Sequence, residues 1–221
     1  MERKIRVTGK GYLSIKPDQV LLKLSLSKVK DTYENAIKAS AEDMNEIKDV
    51  LANLGFEREE LKTSYFNVDT EYESYKDNNG NYKSRFVGYK YKQDLNYKFD
   101  LNNKVLGKVL FALSKTKCKA KINVVYTVKD AEKAKNELLK NAVEDSKNKA
   151  KILVEASGLT LGNIINIDYS FRKIEFTSDP YRDRDFNLYE CCCSTDGSLD
   201  IDVNPEDINV NDNVTIEWEI K

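Results

Sequence analysis

Several stretches of this chain alternate apolar and polar residues so regularly that their local structure is almost decided. Val20, Leu22, Leu24 and Leu26 fall on one side of an extended segment. Tyr89, Tyr91, Leu95, Tyr97 and Phe99 point one way, while Lys90, Lys92, Asp94, Asn96 and Lys98 point the other. Ile122, Val124, Tyr126 and Val128 repeat the pattern, as do Ile165, Ile167, Tyr169 and Phe171, and then Val214, Ile216, Trp218 and Ile220. A period of two sends successive side chains to opposite faces of a strand. Each stretch therefore has one face to hide and one for water, the pattern of antiparallel sheets covered on one side.

The cover is also visible. Tyr33, Ile37, Met44, Ile47, Leu51 and Leu54 recur at helical spacing, with Asp31 and Glu34 as a capping-box-like start and Gly55 as the stop. A short helix follows Asp100 and carries Val105, Leu106, Val109, Leu110 and Leu113. The longest spans about Asp130 to Ser157, with Ala131, Ala134, Leu138, Ala142, Ala150 and Leu153 along one side and Gly158 after it. Ile5 and Val7 open a further alternating segment, interrupted by Gly9 and Gly11; Pro17 and Asp18 make a turn before Val20. Phe66 and Val68 mark another strand, and Asp77-Asn78-Asn79-Gly80 reads as a hairpin turn.

The expected fold class is α+β: antiparallel sheets covered by amphipathic helices. The order strand–helix–strand–strand occurs twice, over 18–99 and 120–221. The expected organisation is one domain over 1–221, with sub-halves of about 1–99 and 120–221 joined by the 100–115 helix. A chain of 221 residues buries roughly 70% of its unfolded surface, so neither disulfides nor metal is needed for stability.

Composition narrows the chemistry. Histidine is absent, which removes the commonest general base and zinc ligand and excludes the familiar serine and cysteine triads. Lysine and arginine number 36 against 37 acidic residues, a balance that argues against nucleic acid as a partner. The lysines between Lys129 and Lys151 are interleaved with Asp130, Glu132, Glu137, Glu144 and Asp145, a solvated helix face. No window approaches the roughly 18 apolar residues of a transmembrane helix. The start, MERKIRVTGKGYL, has no apolar signal-peptide core. Taken as the native start it implies a cytoplasmic protein; with a signal peptide already removed, a periplasmic or cell-envelope one.

In their order, several motifs resemble the SIMPL family, also called the domain-of-unknown-function 541 family. Val7-Thr-Gly-Lys-Gly11, Pro17-Asp18 and the Val20–Leu26 strand are similar to its opening. Thr63-Ser64-x-Phe66-x-Val68 and Val87-Gly88-Tyr89 match the next two segments. Asn141 to Asp145 with Lys149-Ala150, then Ala156 to Leu159 and Leu161-Gly162, resemble its long helix and exit; Pro205, Val210, Val214 and Ile216 fit the closing strand. The family includes envelope proteins of Gram-negative bacteria and a mammalian adaptor that associates with a pelle-like kinase. The resemblance implies an α+β fold, assembly into large homo-oligomers and no accepted catalytic residues. This chain departs from the pattern in lacking a secretion signal and in an insert at about 172–204.

Few residues compete as sites. Gly9, Gly11, Gly88 and Gly162 do not form a Gly-rich strand-to-helix loop, so they read as bends or close approaches rather than phosphate contacts. Tyrosines cluster between Tyr65 and Tyr97. Tyr89, Tyr91 and Tyr97 share the apolar face and belong to the core. Tyr72, Tyr75 and Tyr82 flank the turn and are candidates for a subunit contact, since tyrosine offers large area at low rotamer cost.

The adjacent thiols Cys191, Cys192 and Cys193 have the wrong spacing for a closed zinc site, because alternation throws the middle one to the opposite side. Asp196, Asp200 and Asp202 do not match a twelve-residue calcium loop. Cys191 and Cys193 remain the candidate redox pair. The expected function is therefore a non-enzymatic, self-assembling protein, an oligomeric scaffold or protein-interaction module with no cofactor or metal. The alternative is a stress- or ligand-responsive binding protein that uses the 172–204 insert.

Overall fold

The computed structural model describes residues 3–169, 174–178 and 203–221. Among them are three α-helices and two sheets with antiparallel pairing, an α+β fold. Two compact units divide the described residues: 3–18, 126–169, 174–178 and 205–221 form the first, and 19–125 with 203–204 the second.

The first unit is built on a three-stranded sheet in the order β1-β8-β6, where β1 is Lys4–Ile15, β8 Ile208–Ile220 and β6 Leu161–Asp168. β1 and β8 pair along their whole length, with Val7 opposite Ile216 and Ile5 opposite Trp218. Matching parity puts Val7, Val214, Ile216 and Trp218 on one face, where they pack with Ala142 and Ala150 of helix α3 (Ala131–Ala156). Asp130 caps that helix, its carboxylate accepting from the Lys133 amide at 2.8 Å. At the far end of the sheet a second cluster joins Val128, Ala134, Phe176 and Ile208.

Helix α3 lies unusually close to β1. An added Cβ on Gly9 would stand 2.0 Å from the Ala142 carbonyl oxygen, and one on Gly11 2.2 Å from that of Leu138. Both obstacles are backbone, so glycine is the only residue that fits. The approach lets helix side chains reach the strand's main chain. Lys10 N–H donates to Asp145 at 2.7 Å, Asn141 donates to the Tyr12 carbonyl at 3.1 Å, and buried Ser146 donates to the Val7 carbonyl at 3.1 Å. Lys149 pairs with the same Asp145 at 2.6 Å. Its hydrogen bonds, first from Lys149 and then from the Lys10 amide, hold the Asp145 carboxyl below the usual aspartate range.

The second unit has the strand order β3-β4-β2-β5, with β3 at Lys62–Lys76, β4 at Tyr82–Asp100, β2 at Gln19–Lys30 and β5 starting at Lys121. β5 ends at Thr127, so its last two residues belong to the first unit, where they pair with a short β7, Thr177–Ser178. Leu22 stands opposite Tyr97 and Leu24 opposite Leu95, so the apolar faces of β2 and β4 coincide. Helix α1 (Tyr33–Asn53) covers them with Ala36, Ala39, Ile47 and Leu51. Thr32 is its cap, accepting from the Asn35 amide at 3.2 Å, while Asp31 takes the Asn35 side chain. The start thus sits one residue later than the Asp31–Glu34 reading, because the threonine hydroxyl is the group aimed at the free amide. Helix α2 (Asn103–Ser114) buries Leu106, Val109, Leu110 and Leu113.

A carboxylate penetrates this core. Asp43 on α1 is almost fully buried; it receives the Lys28 ammonium at 2.7 Å and the Tyr91 hydroxyl. Burial first, then the neighbouring carboxylate, pushes the Tyr91 phenol well above its ordinary value. Tyr91 therefore stays a neutral donor. Pairing on both oxygens offsets the cost of placing a carboxylate there.

Strand β6 departs from expectation. Ile165 and Ile167, expected on a covered face, are 46% and 51% exposed, and their neighbour Ile164 is 45% exposed. Two register shifts against β8 break the alternation, and α3 packs chiefly over β1 and β8. Tyr169 falls outside the strand, packs beside the first unit's core and donates to Asp212 at 3.0 Å; Phe171 lies outside the described residues.

Candidate functional site

β2 ends at Lys30, which pairs with Tyr89. Beyond that point β3 and β4 continue as a two-stranded arm, paired from Thr70–Tyr89 to Lys76–Tyr82. A register shift between Glu71 and Tyr72 marks the arm's root. Gly88 sits there, where an added Cβ would meet the Lys30 carbonyl oxygen at 2.2 Å. The tip is ordered by Asp77, whose carboxylate accepts from the Asn79 and Asn81 amides at 2.9 and 3.0 Å and pairs with Lys83. The Asn81 amide first, then Lys83 and the Asn79 amide, keep the Asp77 carboxyl below its usual range.

The arm's two faces differ in chemistry. On one, Glu71 pairs with Lys90 at 2.8 Å and Glu73 with Arg85 at 2.5 Å. On the other, rings meet edge to face in sequence: Tyr72 to Phe86 at 5.7 Å, Phe86 to Tyr89 at 5.4 Å, and Tyr89 to Tyr33 of α1 at 5.9 Å. This row is held by its own contacts but is not covered. Phe86 is 48% exposed and Tyr33 52%.

The three tyrosines singled out from the sequence all lie on this arm. Tyr72 is 58% exposed, Tyr75 42% and Tyr82 75%. The structure brings Tyr72 into the aromatic row; Tyr75 lies under Arg85 and Tyr82 under Lys76 instead. Sequence reading missed Phe86 and Tyr33, whose exposure follows from the register shift and from the arm outrunning β2. Tyr91 and Tyr97 are buried and Tyr89 is half-buried.

Other candidates offer less. A hollow of about 470 Å³ is lined by Phe56, Tyr97, Phe99 and Glu60 among others. The rings there pack against one another at 5.3 to 6.3 Å, leaving Tyr97 and Phe99 almost fully buried. Burial and then Glu60, 3.3 Å away, push the Tyr97 phenol up to about 12. Cys118 is buried, and burial raises its thiol, the opposite of what a reactive cysteine requires. Cys191 and Cys193 lie outside the described residues, as does most of the 172–204 insert. Among the described residues, no group of three or more cysteine or acidic side chains is placed to hold a metal ion, and no helix is long and apolar enough to cross a membrane.

Comparison with known proteins agrees with the motif reading. Residues 5–218 match the family described as SIMPL, protein of unknown function (DUF541). The 26 kDa periplasmic immunogenic protein of Brucella melitensis biotype 1 is 31% identical over 166 residues, covering 74% of this chain. Its counterpart in Brucella abortus strain S19 is 30% identical over the same span. The chain spans 65% of the length of these curated relatives. A match from Ile5 to Trp218, first strand to last, places this chain in the SIMPL family.

Proposed function

We propose that this protein is non-enzymatic and works by self-association, as an oligomeric scaffold or protein-interaction module, with the β3–β4 arm as a contact surface. The observation that carries the reading is an aromatic row that begins with exposed Tyr72 and Phe86 on a hairpin whose tip is already ordered and runs through half-buried Tyr89 to exposed Tyr33 of α1. Such a surface loses little conformational freedom on docking, and large amphipathic rings are what interface cores are enriched in. The charged face of the arm is internally paired, so it keeps the hairpin soluble without competing for the contact. A sequence without histidine supports the non-enzymatic half of the proposal.

The relatives are named as periplasmic proteins, which favours a periplasmic or envelope location for this chain over a cytoplasmic one. Fractionation of native cells decides between them: recovery with cytoplasmic markers would reverse the assignment.

Light scattering on two variants tests the contact surface. Deleting Tyr75 to Tyr82, or replacing Tyr72 and Phe86 by serine, is expected to lower the particle mass below wild type. Wild-type mass in both variants would count against the arm.

A further inference from the structure

The two outer edges of the β1-β8-β6 sheet are treated very differently. At β1, Asp145 accepts the Lys10 amide and Asn141 donates to the Tyr12 carbonyl, so the helix occupies the edge. At β6 no strand or side chain among the described residues takes the outward main-chain groups. That same strand carries Ile164, Ile165 and Ile167, each about half exposed. Open edges in folded proteins are normally guarded by lysine, proline, an inward charge or a bulge. From Leu161 to Ile167 β6 has no lysine, proline or charge, and its irregularities against β8 end at Asn166; its single charge, Asp168, is paired with Arg6 at 3.2 Å.

We propose that β6 pairs antiparallel with β6 of a second copy, joining two three-stranded sheets into one of six strands and setting the isoleucines of the two copies side by side. This rests on the self-association reading and adds a contact surface separate from the arm. The choice of a second copy follows from the charge pattern. In the antiparallel register that sets Ile164 of one copy against Ile167 of the other, each Asp168 falls opposite Asn163. The two carboxylates then sit at opposite ends of the pairing, each beside an amide. The edge of the second unit behaves otherwise: β3 carries Asp69, Glu71 and Glu73 at alternate positions, and self-pairing centred there would set carboxylates against each other. An isologous contact of this kind doubles whatever assembly the other contacts make.

The test uses the full chain and two variants, Ile165→Lys and the milder Ile167→Asn, with thermal melting to confirm that each is folded. Light scattering is expected to give about half the wild-type mass for both. Amide hydrogen exchange across 162–168 is expected to slow as wild-type concentration rises, and to stay fast in the variants. Wild-type mass in a folded Ile167→Asn protein overturns the pairing, as does protection that is the same at every concentration, which would indicate cover from within the chain or from another molecule. The readings fail separately: a monomeric wild type removes self-association altogether, whereas an oligomer shrunk by the arm variants but not by these removes only the β6 contact.

Discussion

Gly9 and Gly11 are where the first unit is most sensitive to a single atom. A methyl at either position meets helix backbone at 2.0 or 2.2 Å, so α3 must move off β1 or the strand must bend. Gly9→Ala is expected to destabilise the protein by about 1–3 kcal/mol, measured by urea unfolding, with Gly11→Ala similar. An unchanged midpoint would mean the helix does not sit on the strand as described. Asp145 contributes through charge. Its pKa is held down in the folded state, so its share of stability is present above the unfolded aspartate value of about 3.9 and is lost as pH falls through the folded value. Asp145→Asn should therefore flatten the decline in stability between about pH 5 and pH 3, checked by urea midpoints across that range. Identical slopes for wild type and variant would remove the interaction.

Among the elements, β2, β4 and β8 were legible because alternation and register agree: Leu22 faces Tyr97 and Ile216 faces Val7, so one pattern serves both partners. Strand β6 has equally apolar residues but was misread. Whether a face is covered depends on where α3 lies across the sheet, and a local pattern carries no record of that. The bulges add a second obstacle, since one extra residue reverses the parity on which the reading depends. The arm was legible in part. Its turn chemistry identified the tip, and hence Tyr72, Tyr75 and Tyr82, but not the point at which β2 stops. Because the arm's tip packs against neither helix core, removing Tyr75 to Tyr82 should leave thermal stability within about 1 kcal/mol of wild type while the mass falls. A large loss of stability would show that the hairpin supports the fold.

At the scale of the molecule, chain order and spatial order part company. β1 belongs with segments from the other end of the sequence, pairing with β8 from Lys4–Glu219 to Ile15–Ile208. A pairing across some two hundred residues leaves no local signature, which is why a linear division into halves was the natural reading. It also means that the first unit cannot complete its sheet until the C-terminal strand is available, the kind of non-local contact that slows folding. Both units leave apolar surface outside their cores, the aromatic row in one and the isoleucine edge in the other. The proposal of self-association rests on that surplus.

The most direct measurement is the mass of the purified full chain by multi-angle light scattering over a wide concentration range. Self-association predicts a discrete assembly whose mass is an integral multiple of 25.4 kDa. A particle of 25.4 kDa at every concentration would contradict it.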